Sequence, residues 1–196
     1  MSEPFNVHIM ISNHHVHLSK AAEKVLFGEE GVTFQRWLGA EGGSYACNET
    51  VTIAGPKGSI SGLRVLGPCR DVDEAEILTS DTFKLGITAP YRCGGNMEGA
   101  ATLTLIGPKG SVESACGIVP YRHIHVGANT LAKFGLDPKD EVSVHIDGIR
   151  GGTLDNVRFK LSRKNPDDPA TMHIDREEGN AMGIGMTATG TVVLDK

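Results

Sequence analysis

The chain lacks any apolar run approaching the roughly 18 residues that a membrane helix needs. It also lacks a basic cluster: 19 lysines and arginines are scattered among 24 acids, for a net charge of −5, whereas gripping a nucleic-acid backbone takes a concentrated cationic surface. Neither nucleic acid nor membrane is an expected partner. Cys47, Cys69, Cys93 and Cys116 stand more than twenty residues apart with no Cys-x-x-Cys pair, which excludes a structural zinc knuckle and predicts free thiols in a reducing compartment. The start, Met1-Ser2-Glu3-Pro4-Phe5, has neither the basic region nor the apolar core of a signal peptide. A cytoplasmic location is expected, and the sequon Asn48-Glu49-Thr50 is discounted on the same ground. Aromatic residues are scarce, at 5%.

What is abundant is glycine, 25 residues, with nine prolines, a balance that favours many short strands joined by tight turns. At 196 residues and 39% hydrophobic content the chain suits one large domain or two small ones with cores of their own. Val7 to Ser12 reads as a strand. Leu18 to Gly28 reads as a short helix, with Ser19 as its N-cap and Gly28 as its stop. From Val32 to Tyr91 short apolar runs alternate with turn residues, among them Tyr45 to Ile53, Ser59 to Leu66 and a stretch around Ala75 to Leu78. A second short helix is expected over Asn129 to Gly135. Strands follow at Glu141 to Ile146, after the Gly151-Gly152 turn at Val157 to Leu161, and at Thr171 to Asp175, then a helical turn at Arg176 to Ala181 and a last strand at Thr187 to Leu194.

Two internal similarities organise this pattern. Gly55-Pro56-Lys57-Gly58-Ser59 returns as Gly107-Pro108-Lys109-Gly110-Ser111, an offset of 52 residues at which Pro68-Cys69-Arg70 also falls on Pro120-Tyr121-Arg122. After a three-residue slip, Lys84-Leu85-Gly86-Ile87 falls on Lys133-Phe134-Gly135-Leu136. A duplication of this length predicts a mainly β protein of two small related barrels or sandwiches, capped by short helices.

The second similarity is chemical. His15-Val16-His17 recurs as His123-Ile124-His125, and alternation along a strand puts both imidazoles of a pair on one face. Each pair suits a metal ion, together holding two ions or closing one shared site, and equally suits the polar face of a half-buried strand. Where Arg122 precedes the second pair, Arg70 precedes Asp71, Asp73, Glu74 and Glu76, so one half offers carboxylates where the other offers imidazoles. A carboxylate from Asp71 to Glu76 is the candidate third ligand for His15 and His17, and His173 for His123 and His125. Three protein donors per ion leave a position for water or substrate, the pattern of catalytic rather than structural zinc. Arg70 suits a phosphate or carboxylate beside such an ion, since its planar fork donates two parallel hydrogen bonds. His8 and His145 are strand histidines without spaced partners and are expected to be structural.

His15-Val16-His17-Leu18-Ser19, Val65-Leu66-Gly67-Pro68-Cys69-Arg70 with Glu76 six residues on, Arg122-His123-Ile124-His125, and His173-Ile174-Asp175 followed by Asn180-Ala181 together resemble, in order, the signatures of the PduL-type phosphate acyltransferases. The resemblance implies two β-barrel domains, a discontinuous one of residues 1–13 and 122–196 and one of 14–121, with the active site between them. It implies two zinc ions per chain, one on His15, His17 and Glu76 with the CoA sulfur as a further ligand, the other on His123, His125 and His173. Arg70 would contact phosphate, and Arg92 and Arg122 are further substrate-binding candidates. The implied partners are acyl-CoA or CoA and phosphate, and the implied reaction is acyl-CoA plus phosphate giving acyl phosphate plus CoA. The sequence is equally compatible with a monomer and a homo-oligomer.

This chain departs from the family pattern in carrying His14, a competing ligand, where arginine usually precedes the first pair. It departs again over Tyr91-Arg92-Cys93-Gly94-Gly95-Asn96, where serine and aspartate are more usual. About half a dozen residues precede the first strand, too few for a helix that would target the chain to a microcompartment shell. Direct attack of phosphate on the thioester is the expected mechanism, with a covalent route through Cys93 as its alternative. A binuclear zinc thioesterase and a zinc-stabilised binding module without turnover are the rival functions.

Overall fold

An apolar residue at every second position needs a sheet with one covered face, and closing the sheet on itself covers that face without a second layer. The computed structural model, which describes residues 4–39, 41–162 and 165–193, does this twice. The expectations for Met1 to Glu3, and for Leu194 as the end of the last strand, lie outside the described residues. The chain divides into two compact units, Met1–Asn13 with Tyr121–Lys196, and His14–Pro120.

In the unit His14–Pro120 the closed ring runs β4 (Tyr45–Ala54), β5 (Ser59–Gly67), β2 (His15–His17), β6 (Glu74–Glu76), β9 (Ser111–Pro120), β8 (Ala101–Ile106) and back to β4. The pairs β2/β5 and β6/β9 are parallel and the rest of the ring is antiparallel. β3 (Phe34–Trp37) adds to β4 and β7 (Tyr91–Arg92) adds to β9. Its core includes Val16, Val51, Ile53, Leu63, Val65, Ala75, Leu103 and Leu105, packed with Leu26 and Leu85 from two helices, α1 (Lys20–Phe27) and α2 (Thr79–Leu85).

The other unit closes a ring of β1 (Phe5–Ser12), β13 (Thr171–Asp175), β10 (His123–Val126), β12 (Gly152–Leu161), β11 (Glu141–Ile146) and β14 (Thr187–Val193). Here β1/β13 and β10/β12 are parallel and the other four pairs antiparallel. Val7, Ile9, Ile124, Val142, Val144, Val157, Met172, Ile174 and Val192 fill it. Its helices are α3 (Ala128–Lys133) and α4 (Arg176–Met182).

The two rings have the same sequence of parallel and antiparallel neighbours, because the chain repeats one unit of construction: a strand, a helix, then two antiparallel strands of which the second lies parallel to the first. β2, α1, β4 and β5 make the first copy, β6, α2, β8 and β9 the second, and β10, α3, β11 and β12 the third. In the fourth, β13, α4 and β14 lack a following strand, and β1 takes its place beside β13 and β14. The Gly-Pro-Lys-Gly repeat accordingly relates two halves of one barrel, since both turns lie in His14–Pro120, joining β4 to β5 and β8 to β9.

Each of those turns seals a helix in the other half. Lys57 donates its backbone N–H to Leu85 O and Lys109 to Leu26 O, both at 3.0 Å. A Cβ on Gly55 would strike Leu85 O, and one on Gly107 would lie 2.6 Å from Leu26 O. The glycines are required by close backbone approach, which no side chain tolerates.

Helix α1 starts at Ser19, whose Oγ accepts the Ala22 N–H at 3.1 Å, and stops at Gly28. α2 was not expected from the sequence, where Thr79 and Thr82 lower helix propensity within a short segment. It forms because Asp81 reaches back to the Leu78 N–H at 3.0 Å and Gly86 takes the left-handed stop. β12 begins at Gly152, inside the expected turn. Among the described residues no helix is long and apolar enough to cross a membrane.

Gly55→Ala and Gly107→Ala are each expected to cost about 1–3 kcal/mol of stability in urea unfolding. Gly39→Ala, with nothing within 4 Å of the added carbon, is the control and should stay within about 0.5 kcal/mol of wild type.

Candidate functional site

The barrel interior dictates where polar residues on these strands can point. Val16 is buried inside, so His15 and His17 leave through the other face, and Ala75 does the same for Glu74 and Glu76. The antiparallel register of β2 and β6 then sets His15 opposite Glu76 and His17 opposite Glu74. His15 Nε2 lies 3.5 Å from Glu76 Oε2. His17 donates Nδ1–H to Leu66 O at 3.1 Å, which leaves the Nε2 lone pair outward.

Arg70 meets that lone pair. Its backbone N–H is tied to Leu18 O at 2.9 Å, directly after the histidine pair, and its Nη2 donates to His17 Nε2 at 2.8 Å. Nη1 donates to Glu74 Oε1 at 2.7 Å. The other Glu74 oxygen accepts the Gly95 N–H at 2.6 Å, which anchors the Tyr91 to Asn96 segment here. Burial, then Arg70 and His15, push the His17 imidazole down to about 3. Burial and a hydrogen bond with Glu76 push the Glu74 carboxyl up, against the pull of Arg70. The group is a buried alternation of base, cation and acid, stable only while each partner stays in place.

In the other unit the same logic yields imidazoles. Ile124 is buried between His123 and His125, and Met172 and Ile174 are buried either side of His173. Register in β10/β13 sets His123 opposite His173. One nitrogen from each of His123, His125 and His173 lies within 4.8 Å of the others, and His123 Nε2 is 3.2 Å from His125 Nε2. His123 Nδ1–H donates to Tyr121 O at 2.8 Å, turning Nε2 toward the cluster. Three converging imidazoles, with a backbone carbonyl fixing the tautomer of His123, are a donor set that can hold a metal ion. Among the described residues no equally compact trio forms around His15, His17 and Glu76, where Arg70 holds His17 Nε2.

The remaining residues singled out in the sequence sit as follows. Arg122 gives Nε to Glu178 Oε1 at 2.6 Å and Nη1 to Asp155 O at 3.0 Å. Arg92 gives Nε to Glu98 O and Nη1 to Tyr91 O, both at 2.9 Å. His14 donates Nδ1–H to Asp81 Oδ2 at 2.9 Å, so its nearest charge is a carboxylate on α2. All four cysteines are free. Cys69 hydrogen-bonds Glu23, and burial together with that bond pushes its thiol up to about 12.

The sequence leaves Glu74 and Asp73 undistinguished within a run of candidate carboxylates and assigns no cavity. Glu74 is as central as Glu76, and its signal was present in Glu74-x-Glu76, which mirrors the His-x-His opposite. Asp73 accepts from the Ser19 N–H at 2.8 Å and from the Ser114 hydroxyl at 3.0 Å, bracing the start of α1. A cavity of about 410 Å³ in the unit His14–Pro120 is lined by Lys57, Thr79, Thr82, Phe83, Tyr91 and Val119. Its rim carries an unusually bare aromatic, Phe83, at 78% exposure, and Thr79 follows Glu76 by three positions.

Comparison with known proteins supplies an independent line. Residues 8–185 match the family model described as phosphate propanoyltransferase. The chain is 43% identical over 181 residues to a phosphate propanoyltransferase of Rhodopseudomonas palustris, a match covering 92% of this chain and 79% of that protein. It is 42% identical over 184 residues to one of Rhodobacter capsulatus, covering 93% and 84%. With one of Salmonella typhimurium it shares 39% identity over 175 residues, covering 88% and 81%.

The depressed His17 predicts how the metal-free protein responds to acid. The unfolded chain takes up a proton at His17 near its ordinary value of 6.5, the folded chain not until about 3. Stability is therefore full above the higher value and lost as pH falls below it. Wild type should lose more urea resistance than His17→Gln between about pH 7 and about pH 5; equal losses would overturn the assignment.

Proposed function

The chain belongs to the phosphate propanoyltransferase family, and from that premise we propose that it transfers a short acyl group between coenzyme A and inorganic phosphate. In this reading His15, His17 and Glu76 hold one zinc ion and His123, His125 and His173 hold another. The observation that carries it is the recurrence, in each barrel, of an antiparallel strand pair that sets the first histidine of a His-x-His opposite a third donor. The donor sets fit zinc: five imidazoles, of which His17 and His123 spend their Nδ1–H groups on carbonyls, joined on one side by a carboxylate. Zinc, when bound, supplies a Lewis acid with high affinity for thiolate sulfur and a charge that offsets phosphate.

The protein's own part is to bring two anionic reactants together. A phosphate oxygen bonds to the thioester carbon, the carbon–sulfur bond breaks, and CoA leaves as the thiolate. Arg70 is the phosphate contact, already held at the site by Glu74 and by the Leu18 carbonyl. Its bond to His17 Nε2 uses the lone pair that a metal ion needs, so loading that imidazole releases an N–H for the anion. Arg92 and Arg122 are secondary contacts, through guanidinium donors beyond those engaged with carbonyls and carboxylate. The adenine end of CoA is assigned to the cavity at Phe83, where an exposed ring offers a stacking face and Lys57 a charge for phosphate. No protein nucleophile is needed, and Cys93 is a free thiol on the segment after β7.

The test is release of CoA thiol from propanoyl-CoA, with and without phosphate, alongside metal analysis. Release that requires phosphate, with two zinc ions per chain, is the expected outcome; phosphate-independent release would point to a thioesterase, and zinc without release to a binding module. Arg70→Lys should lower kcat/KM about 10²-fold, since an ammonium cannot reproduce the two-pronged contact. His15→Ala or His17→Ala should lose one zinc and nearly all turnover. Cys93→Ala should retain turnover, and its near-total loss with zinc still bound would establish the covalent route instead.

A further inference from the structure

The residue immediately before each His-x-His makes the same kind of contact. His14 donates Nδ1–H to Asp81 Oδ2 at 2.9 Å, and Arg122 donates Nε–H to Glu178 Oε1 at 2.6 Å. Asp81 and Glu178 also hold equivalent places in the fold. Each is the third residue of the helix that follows the strand of the third donor, α2 after Glu76 and α4 after His173. Each reaches back to the N–H that opens its helix, Asp81 to Leu78 at 3.0 Å and Glu178 to Asp175 at 3.2 Å. The four side chains are between 10% and 30% exposed, sheltered enough for each hydrogen bond to hold against competing water.

The coincidence has a mechanical meaning. The ladder fixes the register of an antiparallel pair, but a short one resists small shear displacements with few hydrogen bonds; β2 and β6 have three residues each. A contact from the head of one strand to the helix leaving the other resists that shear. It thereby sets the separation of the two donors that face each other, His15 from Glu76 and His123 from His173.

The geometry points to His14–Asp81 and Arg122–Glu178 as a matched pair of positioning clamps, each setting the donor spacing of its own site. Neither His14 nor Arg122 touches the reacting atoms in this role; each acts through the imidazole that follows it. This rests on the proposed reading of the two donor sets as zinc sites. It also gives a role to the histidine that stands where arginine is usual, since His14 reaches a shorter acid, Asp81, where Arg122 reaches a longer one, Glu178.

The test compares site-specific zinc affinity in four variants, with each site isolated by His173→Ala or His17→Ala in the other. His14→Ala should weaken zinc at His15, His17 and Glu76 by about tenfold or more and leave the imidazole triad unchanged. Arg122→Ala should do the reverse. His14→Arg should restore affinity to within about threefold of wild type, and Glu178→Gln should behave as Arg122→Ala. A general loss of packing would weaken both sites or lower thermal stability without this crossing pattern, and either result overturns the clamps. Imidazole resonances of the metal-free protein provide a readout independent of zinc. His14→Ala should move those of His15 and His17 and spare those of His123, His125 and His173; unmoved resonances would also overturn the proposal. Wild-type protein that binds no zinc while the resonances still respond would remove the metal reading and leave the clamps standing.

Discussion

Each of the two clusters depends on one antiparallel strand pair of its own barrel. β2 against β6, and β10 against β13, are the places where a closed ring brings two polar-faced strands side by side. Because the inner face must be apolar, a single buried residue, Val16 or Ile124, forces the histidines on either side of it outward together. Because the pair is antiparallel, the outward residues of the partner strand meet them directly. No loop has to be held in place to collect the donors, and the cost of grouping polar side chains is met by the apolar core behind them.

The two barrels use this geometry with opposite chemistry. One sets carboxylates and Arg70 against imidazoles and buries the mixture, which is why His17 is pushed toward neutrality and Glu74 toward protonation while a guanidinium sits between them. The other sets imidazole against imidazole and places its charges one turn away, where Arg122 meets Glu178, an acid that burial pushes up and the arginine pulls down. The first arrangement is suited to an anion as well as a cation. The second is a more uniform set of nitrogen donors.

Much of this was legible in the sequence, because period-two alternation and the His-x-His spacing are local. The strands over Tyr45 to Ile53 and Ser59 to Leu66, the helix capped by Ser19 and the mainly β class all followed from spacing and turn residues. What was not legible was either short or distant. α2 is seven residues long and is held by a cap rather than by propensity. The contact of His14 with Asp81 spans 67 residues, and no local pattern announces it. The Gly-Pro-Lys-Gly repeat was visible, but its meaning depended on which strands closed the ring, and both copies belong to one barrel. Glu74 was seen as one acid in a run, since its burial against Arg70 is a property of the folded sheet.

The placement of β1 orders the assembly of the molecule in time. His14–Pro120 contains every strand of its own ring, so that barrel can close as soon as Pro120 has left the ribosome, while the other must wait for β14 near the end of the chain. Until then β1 is an apolar strand without neighbours, a liability during synthesis. Folding of the inserted unit shortens that wait in another sense. His15 and Ile118 flank the same residue, Glu76, from opposite sides, so the two ends of the insertion emerge about 10 Å apart. A long, entropically costly loop is thereby reduced to a short gap before the late barrel closes. Closure of the inserted unit thus substitutes a short gap for the 107-residue stretch His14–Pro120 that separates β1 from β10 in sequence.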